Sequence, residues 1–127
     1  MAKIVFLDEY SMGGNDLTAI TSLGDYTGYD RTYPEQVVER CAGADVVISN
    51  KVYMSRYTMA QLPDLKLIAV AATGMNNVDL EAAAELGIEE RNVSGYSTYS
   101  VAETTLGAAL ALFRNSLYYN RYFKEGA

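Results

Sequence analysis

Short apolar runs alternate with helical patterns along the whole chain, and this alternation is the feature that most constrains the fold. The runs KIVFLD, DVVIS and LKLIAVA contain no regular exchange of polar and apolar residues, so strands built from them must be covered on both faces. Such strands, joined by helices, form parallel sheets with right-handed crossovers. The sequence therefore predicts an α/β domain with a parallel sheet between layers of helices.

The order of the segments refines this prediction. The pattern indicates strands at Lys3–Asp8, Tyr26–Arg31, Asp45–Ser49, Leu65–Ala71 and Ile88–Val93. It indicates helices at Asp16–Leu23, Pro34–Cys41, Ser55–Leu62 and Val78–Leu86, and a long one from Thr98 to Phe123. We expect a flavodoxin-like sheet in the order 2-1-3-4-5 with helices on both faces. The small residues of SGYSTYS, 94–100, could serve as a hinge before the long C-terminal helix.

Composition excludes several classes of function. A chain of 127 residues predicts one domain, and its net charge of −6 argues against a nucleic-acid partner. We expect no membrane association, because no apolar run is long enough to span a bilayer and the N-terminus lacks a signal-peptide pattern. One cysteine, Cys41, fits a reducing cytoplasm. The absence of histidine removes the commonest acid/base and metal ligand, so we expect no metal site.

Ligands of such sheets lie beyond the carboxyl ends of the strands, so these ends hold the candidate site. The fourth strand is followed by Thr73, Gly74 and Met75, whose successive backbone N–H groups could form a nest for a carboxylate. Lys51, which follows the third strand, would add a positive charge. The alternative is purely structural, because a glycine can serve only to permit a tight turn.

Two other kinds of site are conceivable at these strand ends. A flavodoxin-type phosphate loop at SMGGND would have Asp8 and Glu9 just before it, and these acids would repel a phosphate. A phospho-acceptor receiver domain would use Asp8 and Glu9 to bind Mg²⁺, but the third strand ends at Asn50, which cannot accept a phosphoryl group. Both fit less well than the carboxylate nest.

Four segments together resemble the D-isomer-specific 2-hydroxyacid dehydrogenases, most of all their hydroxypyruvate reductase (glycerate dehydrogenase) branch. They are KIVFLDEYSMGGNDL, GADVVISNKV, LPDLKLIAVAATGMNNVDLEAAAELGI and NVSGYSTYSVAETTLGAALAL. The resemblance implies that residues 1–127 are the substrate-binding (catalytic) domain and that residues 98–123 are an interdomain helix. It implies that the amides of Thr73, Gly74 and Met75 hold the substrate carboxylate and that Lys51 lines the same cleft.

The resemblance also implies what this chain lacks. The NAD(P) domain and the catalytic arginine, glutamate and histidine belong to later segments of the family, and no G-x-G-x-x-G motif is present here. We therefore expect no catalytic residue and no cofactor site in this chain, no activity alone and at most weak binding of a 2-keto or 2-hydroxy acid. Tyr99, Thr104 and Gly107 suggest an excised or engineered fragment adapted to water. The alternative is a ligand-free engineered folding module.

Two surfaces could cover the long C-terminal helix. Its apolar side chains recur at roughly helical spacing and should be buried. They are Val101, Leu106, Leu110, Phe113 and Leu117. The helix could fold back onto its own sheet, giving a monomer, or pack on a second copy, giving a domain-swapped homodimer. The sequence favours the fold-back.

Overall fold

The structure is a computed structural model, and it describes residues 1–126. The chain divides into two compact units, Met1–Ser94 and a second that begins at Gly95. The first contains β1 (Lys3–Phe6), α1 (Thr18–Thr21), β2 (Asp25–Gly28), α2 (Val37–Cys41), β3 (Val46–Ser49), α3 (Arg56–Met59), β4 (Leu67–Val70), α4 (Leu80–Leu86) and β5 (Glu89–Asn92), with 3-10 turns at Glu9–Met12 and Pro34–Gln36. The second contains α5 (Thr98–Phe113) and α6 (Ser116–Lys124).

The five strands form one parallel sheet in the order β2-β1-β3-β4-β5, which confirms the predicted topology. The three central strands come from the apolar runs. β2 and β5 are the edges, and their residues are mostly exposed or half-buried. β5 reads Glu-Glu-Arg-Asn, so charged side chains line one edge of the sheet.

The two faces of the sheet are covered unequally. α2, α3 and α4 pack on one face over a continuous core that includes Val5, Val47 and Ile68. On the other face Ile4, Phe6 and Ile48 pack against the 3-10 turn and the four-residue helix α1. This second face retains an apolar groove of 520 Å³ over the central strands.

Helix ends in the first unit follow local sequence signals. Asp79 caps α4 by accepting a hydrogen bond from the backbone of Ala82 at 3.0 Å, and Gly87 ends that helix with a φ of 71°. Ser55 caps α3 in the same way through the backbone of Thr58. Pro34 starts a 3-10 turn rather than the first turn of α2.

Cys41 is fully buried on α2. Burial raises the pKa of its thiol to about 11, against a smaller opposite effect of the positively charged Lys3. A thiol with such a pKa stays protonated at neutral pH and is a poor nucleophile. Its role is therefore to fill the core.

The C-terminal segment is not one helix, as the sequence predicted, but two. α5 ends at Phe113, and Asn115 adopts a left-handed φ of 51° before α6 begins. No glycine or proline marks this break. Asparagine tolerates the left-handed region better than most residues, which makes the turn possible. Within the described residues no helix has the length and apolar character needed to cross a bilayer.

Candidate functional site

The two loops that carry the predicted site residues lie side by side at the carboxyl ends of β3 and β4. They are tied at both ends. Ala71 donates its backbone N–H to Ser49 at 2.9 Å, and Met54 pairs with Val78 in an isolated parallel bridge. Lys51 lies on one loop between these ties, and Gly74 lies on the other. The structure therefore brings both to the same edge of the sheet.

The loop after β3 is fixed by two buried side chains. The carboxylate of Asp8 is 1 % exposed and accepts hydrogen bonds from the backbone of Asn50, at 3.0 and 3.1 Å, and of Lys51, at 2.5 Å. The hydroxyl of Ser49 accepts from the backbone N–H of Val52 and donates to its carbonyl oxygen, both at 3.1 Å. The backbone on either side of Lys51 is thus held in place.

The turn after β4 is fixed to the neighbouring strand. Asn92 donates its side-chain N–H to the carbonyl of Thr73 at 2.6 Å, and the hydroxyl of Thr73 donates to Val93 at 3.1 Å. These bonds involve the carbonyl and the side chain of Thr73, but not its backbone N–H group. Among residues 1–126, the N–H groups of Thr73, Gly74 and Met75 donate to no protein atom. Three successive donors are therefore available at an ordered turn.

Gly74 is not required by the fold. Its φ lies outside the left-handed region, and a Cβ placed there would meet only the side-chain oxygen of Asn76, at 3.3 Å. Because neither Thr73 nor Met75 has a positive φ, the turn is not a nest of alternating handedness. Its free donors come from an open turn, and the missing side chain at Gly74 leaves room for a ligand to approach them.

Asp8 and Glu9 do not form the metal site of a receiver domain. The carboxylate of Asp8 is occupied by the backbone N–H groups of Asn50 and Lys51, and that of Glu9 accepts a hydrogen bond from the hydroxyl of Tyr26. Burial and this hydrogen bond both raise the pKa of Tyr26, so the phenol keeps its proton. Within residues 1–126 no group of three acidic or cysteine side chains could hold a metal ion.

Sequence reasoning missed a pocket of 340 Å³ beside the same loop. It lies between the ends of β1, β2 and β3, and Tyr10, Arg31, Tyr33, Lys51 and Tyr53 contribute to its walls. The only hint in the sequence was the number of tyrosines, eleven in 127 residues. Lys51 therefore lines this pocket, and the loop that carries it is the neighbour of the loop that carries the amide turn.

The chain matches the family model described as D-isomer specific 2-hydroxyacid dehydrogenase, catalytic domain, over residues 4–125. The chain belongs to this family. It is 41% identical over 125 residues to the glycerate dehydrogenase of Methylorubrum extorquens and 35% identical over 129 residues to the hydroxypyruvate reductase of Blautia hydrogenotrophica. In each comparison 98% of this chain is covered, but only 40% of the relative.

A solved 2-hydroxyacid dehydrogenase, from Ketogulonicigenium vulgare, has the same fold, with a TM-score of 0.81. The match covers 99% of this chain and 41% of that one, at 21% sequence identity. The chain thus spans about two fifths of the length of its 2-hydroxyacid dehydrogenase relatives.

The glycine pair Gly13–Gly14 does not have the form of a pyrophosphate-binding loop. Gly13 and Gly14 are both left-handed, with φ of 61° and 79°, but the helix that follows them begins only at Thr18 and is four residues long. A pyrophosphate site needs a helix N-terminus directly behind its glycines. The two acids at the end of β1 would also repel it.

Proposed function

We propose that this chain is the substrate-binding part of an NAD(P)-dependent D-2-hydroxyacid dehydrogenase. The observation that carries the proposal is the row of unused N–H groups at Thr73, Gly74 and Met75, beside a loop that bears Lys51. The carboxylate of a 2-keto or 2-hydroxy acid would accept hydrogen bonds from these amides, and the ammonium of Lys51 would balance its charge. The named glycerate dehydrogenase and hydroxypyruvate reductase relatives support an acid of this class as the ligand.

Buried polar atoms near these loops support a ligand as well. The side-chain oxygens of Asn50 and Asn77 are buried, and neither receives a hydrogen bond from any described residue. Buried acceptors in native proteins nearly always have a donor. A bound hydroxy acid, or water held with it, would supply one.

We further propose that the chain binds but does not react on its own, in the cytoplasm. Hydride transfer to a carbonyl needs a nicotinamide and a proton donor. The sequence has no histidine, and no helix begins directly behind the glycine pair Gly13–Gly14 as a pyrophosphate-binding loop requires. In such enzymes NAD(P) supplies the redox chemistry, so we assign no redox step to this chain.

Binding of small acids tests the proposal. We expect calorimetry or NMR titration of the whole chain to give millimolar dissociation constants for glyoxylate, hydroxypyruvate and oxalate. Gly74→Ala should weaken binding about tenfold or more, roughly 1.4 kcal/mol, because its methyl group occupies the approach to the amides. Thermal stability should stay the same, since the fold does not require this glycine.

Gly107→Ala is the matched control. It makes the same chemical change on α5, where a Cβ would meet no atom within 4 Å. It should leave binding unchanged. If no acid binds at millimolar concentration, or if Gly74→Ala binds as well as the unmodified chain, the carboxylate site is wrong, and the ligand-free folding module becomes the better description.

We also propose what covers the apolar side chains of the second unit. On α5 the side chains of Leu106 and Phe113 are 61% and 84% exposed, and burial of each would contribute about 1.5–3 kcal/mol. The fold-back expected from the sequence would cover them within one chain. Size-exclusion chromatography with light scattering should then give the monomer mass of 13.9 kDa. A mass that rises with concentration toward the dimer value would instead support the domain-swapped homodimer.

A further inference from the structure

The 340 Å³ pocket and the amide turn lie on opposite sides of the Lys51 loop. The pocket is walled by residues that follow β1, β2 and β3, whereas the turn follows β4. Neighbouring strands are about 4.8 Å apart, so three such spacings, about 14 Å, separate the turn after β4 from the segment after β2 that carries Arg31. The long side chain of Arg31 covers part of this distance, and a ligand must span the rest. Glyoxylate is too short for this, whereas a 2-keto acid with an extended side chain is long enough.

The outer wall of the pocket is rigid. Arg40 donates hydrogen bonds to the carbonyl of Arg31 at 2.6 Å and to the hydroxyl of Thr32 at 2.7 Å, and its guanidinium stacks on the ring of Tyr29 at 4.1 Å. These contacts hold the segment that follows β2. The inner wall is held by the buried carboxylate of Asp8.

Two positively charged side chains of this pocket are only weakly paired with acidic side chains. The guanidinium of Arg31 lies 4.3 Å from the centre of the Tyr10 ring, and among residues 1–126 its one ion pair within 4 Å is with the exposed Asp30, at 3.8 Å. Within residues 1–126 neither this guanidinium nor the ammonium of Lys51 donates a hydrogen bond to a protein atom. The acid in the pocket wall, Asp8, already accepts hydrogen bonds from the backbone N–H groups of Asn50 and Lys51.

These contacts form a site that is suited to bind an anion. The guanidinium of Arg31 lies over the ring of Tyr10, and its N–H groups remain without an acceptor among residues 1–126. A planar guanidinium binds a carboxylate through two parallel hydrogen bonds, and a nearby ammonium adds charge. Tyrosine rings form apolar walls on which a short carbon chain can lie.

We propose that this pocket receives the distal carboxylate of a dicarboxylic 2-keto acid, with Arg31 as the residue that determines specificity. The inference rests on the proposed function, because the other carboxylate of the ligand is held by the amides of Thr73, Gly74 and Met75. The substrate class is then a 2-keto diacid of the size of 2-oxoglutarate or 2-oxoadipate.

Titration of the whole chain with matched ligands tests this assignment. 2-Oxovalerate has the same number of carbons as 2-oxoglutarate but no distal carboxylate. We expect 2-oxoglutarate or 2-oxoadipate to bind at least about tenfold more tightly than 2-oxovalerate. Arg31→Gln should abolish that preference, and Arg31→Lys, which keeps the charge but not the planar fork, should restore part of it. Glyoxylate binding should be unchanged in both variants.

Arg91→Gln is the matched control, because Arg91 lies on β5, at the edge of the sheet opposite β2, and is ion-paired to Glu89. It should leave the preference for the diacids intact. Equal binding of 2-oxovalerate and both diacids, or a preference that survives Arg31→Gln, would overturn the pocket assignment. In that case glyoxylate binding that remains sensitive to Gly74→Ala would leave the proposed function standing. If no 2-keto acid binds, both are overturned.

Discussion

Replacement of Asp8 by alanine should lower the free energy of unfolding by about 2–4 kcal/mol, because a buried carboxylate that accepts hydrogen bonds from two backbone N–H groups would be removed. The N–H groups of Asn50 and Lys51 would lose their acceptor. Urea denaturation followed by circular dichroism measures the change. The same substitution should weaken keto-acid binding, since the loop that carries Lys51 would lose its anchor.

Two further variants make this prediction specific. Asp8→Asn keeps the shape of the side chain but exchanges one acceptor oxygen for an N–H donor, so we expect a smaller loss, about 1–2 kcal/mol. Asp30→Ala removes an acid whose side chain is 79% exposed, and it should change stability by less than about 0.5 kcal/mol. An Asp8→Ala protein as stable as Asp30→Ala would show that the carboxylate does not anchor the loop.

Gly24→Ala should have the second large effect, a loss of about 2–3 kcal/mol. A Cβ at this position would lie 2.3 Å from the carbonyl oxygen of Ala2, a backbone atom that cannot rotate away. The same oxygen accepts a hydrogen bond from the backbone of Asp25 at 2.9 Å, so any movement that relieves the contact disturbs the start of the β1–β2 pairing.

The glycine on α5 again provides the comparison. Gly107→Ala places its methyl group in open space within a helix, where alanine is favoured over glycine by about 1 kcal/mol. The two alanine variants should therefore shift the denaturation midpoint in opposite directions. Hydrogen exchange should report faster opening of β2 in Gly24→Ala. If Gly24→Ala unfolds like the unmodified chain, the inferred close packing of Gly24 against β1 is incorrect.

The sheet was predictable because its information is local. The apolar runs at β1, β3 and β4 have no polar alternation, and this pattern alone requires a buried parallel strand. The turn at Gly74 was found for a similar reason, because small residues directly after a buried strand mark the edge where ligands bind. Its free N–H groups could not be read from the sequence, since they depend on which partners the neighbouring carbonyls find.

The pocket at Arg31 was missed because the second strand was predicted to run too far. The sequence placed Arg31 at the end of that strand, but β2 ends at Gly28, so Arg31 belongs to the loop that walls the pocket. The anchoring role of Asp8 was not predicted, for a different reason. Its partners lie 42 and 43 residues away in the sequence, and no local pattern can reveal that pairing. The helix break at Asn115 was not predicted because no glycine or proline lies there.

The charged strand at one edge of the sheet has a consequence for aggregation. An exposed edge strand presents unpaired backbone groups that could recruit a strand from another molecule and start fibril growth. On β5, Glu89, Glu90 and Arg91 put charge along that edge, and the strand is only four residues long. Molecules that approach one another here would bring like charges together before backbone pairing begins. This edge should therefore resist amyloid-like polymerisation even at high protein concentration.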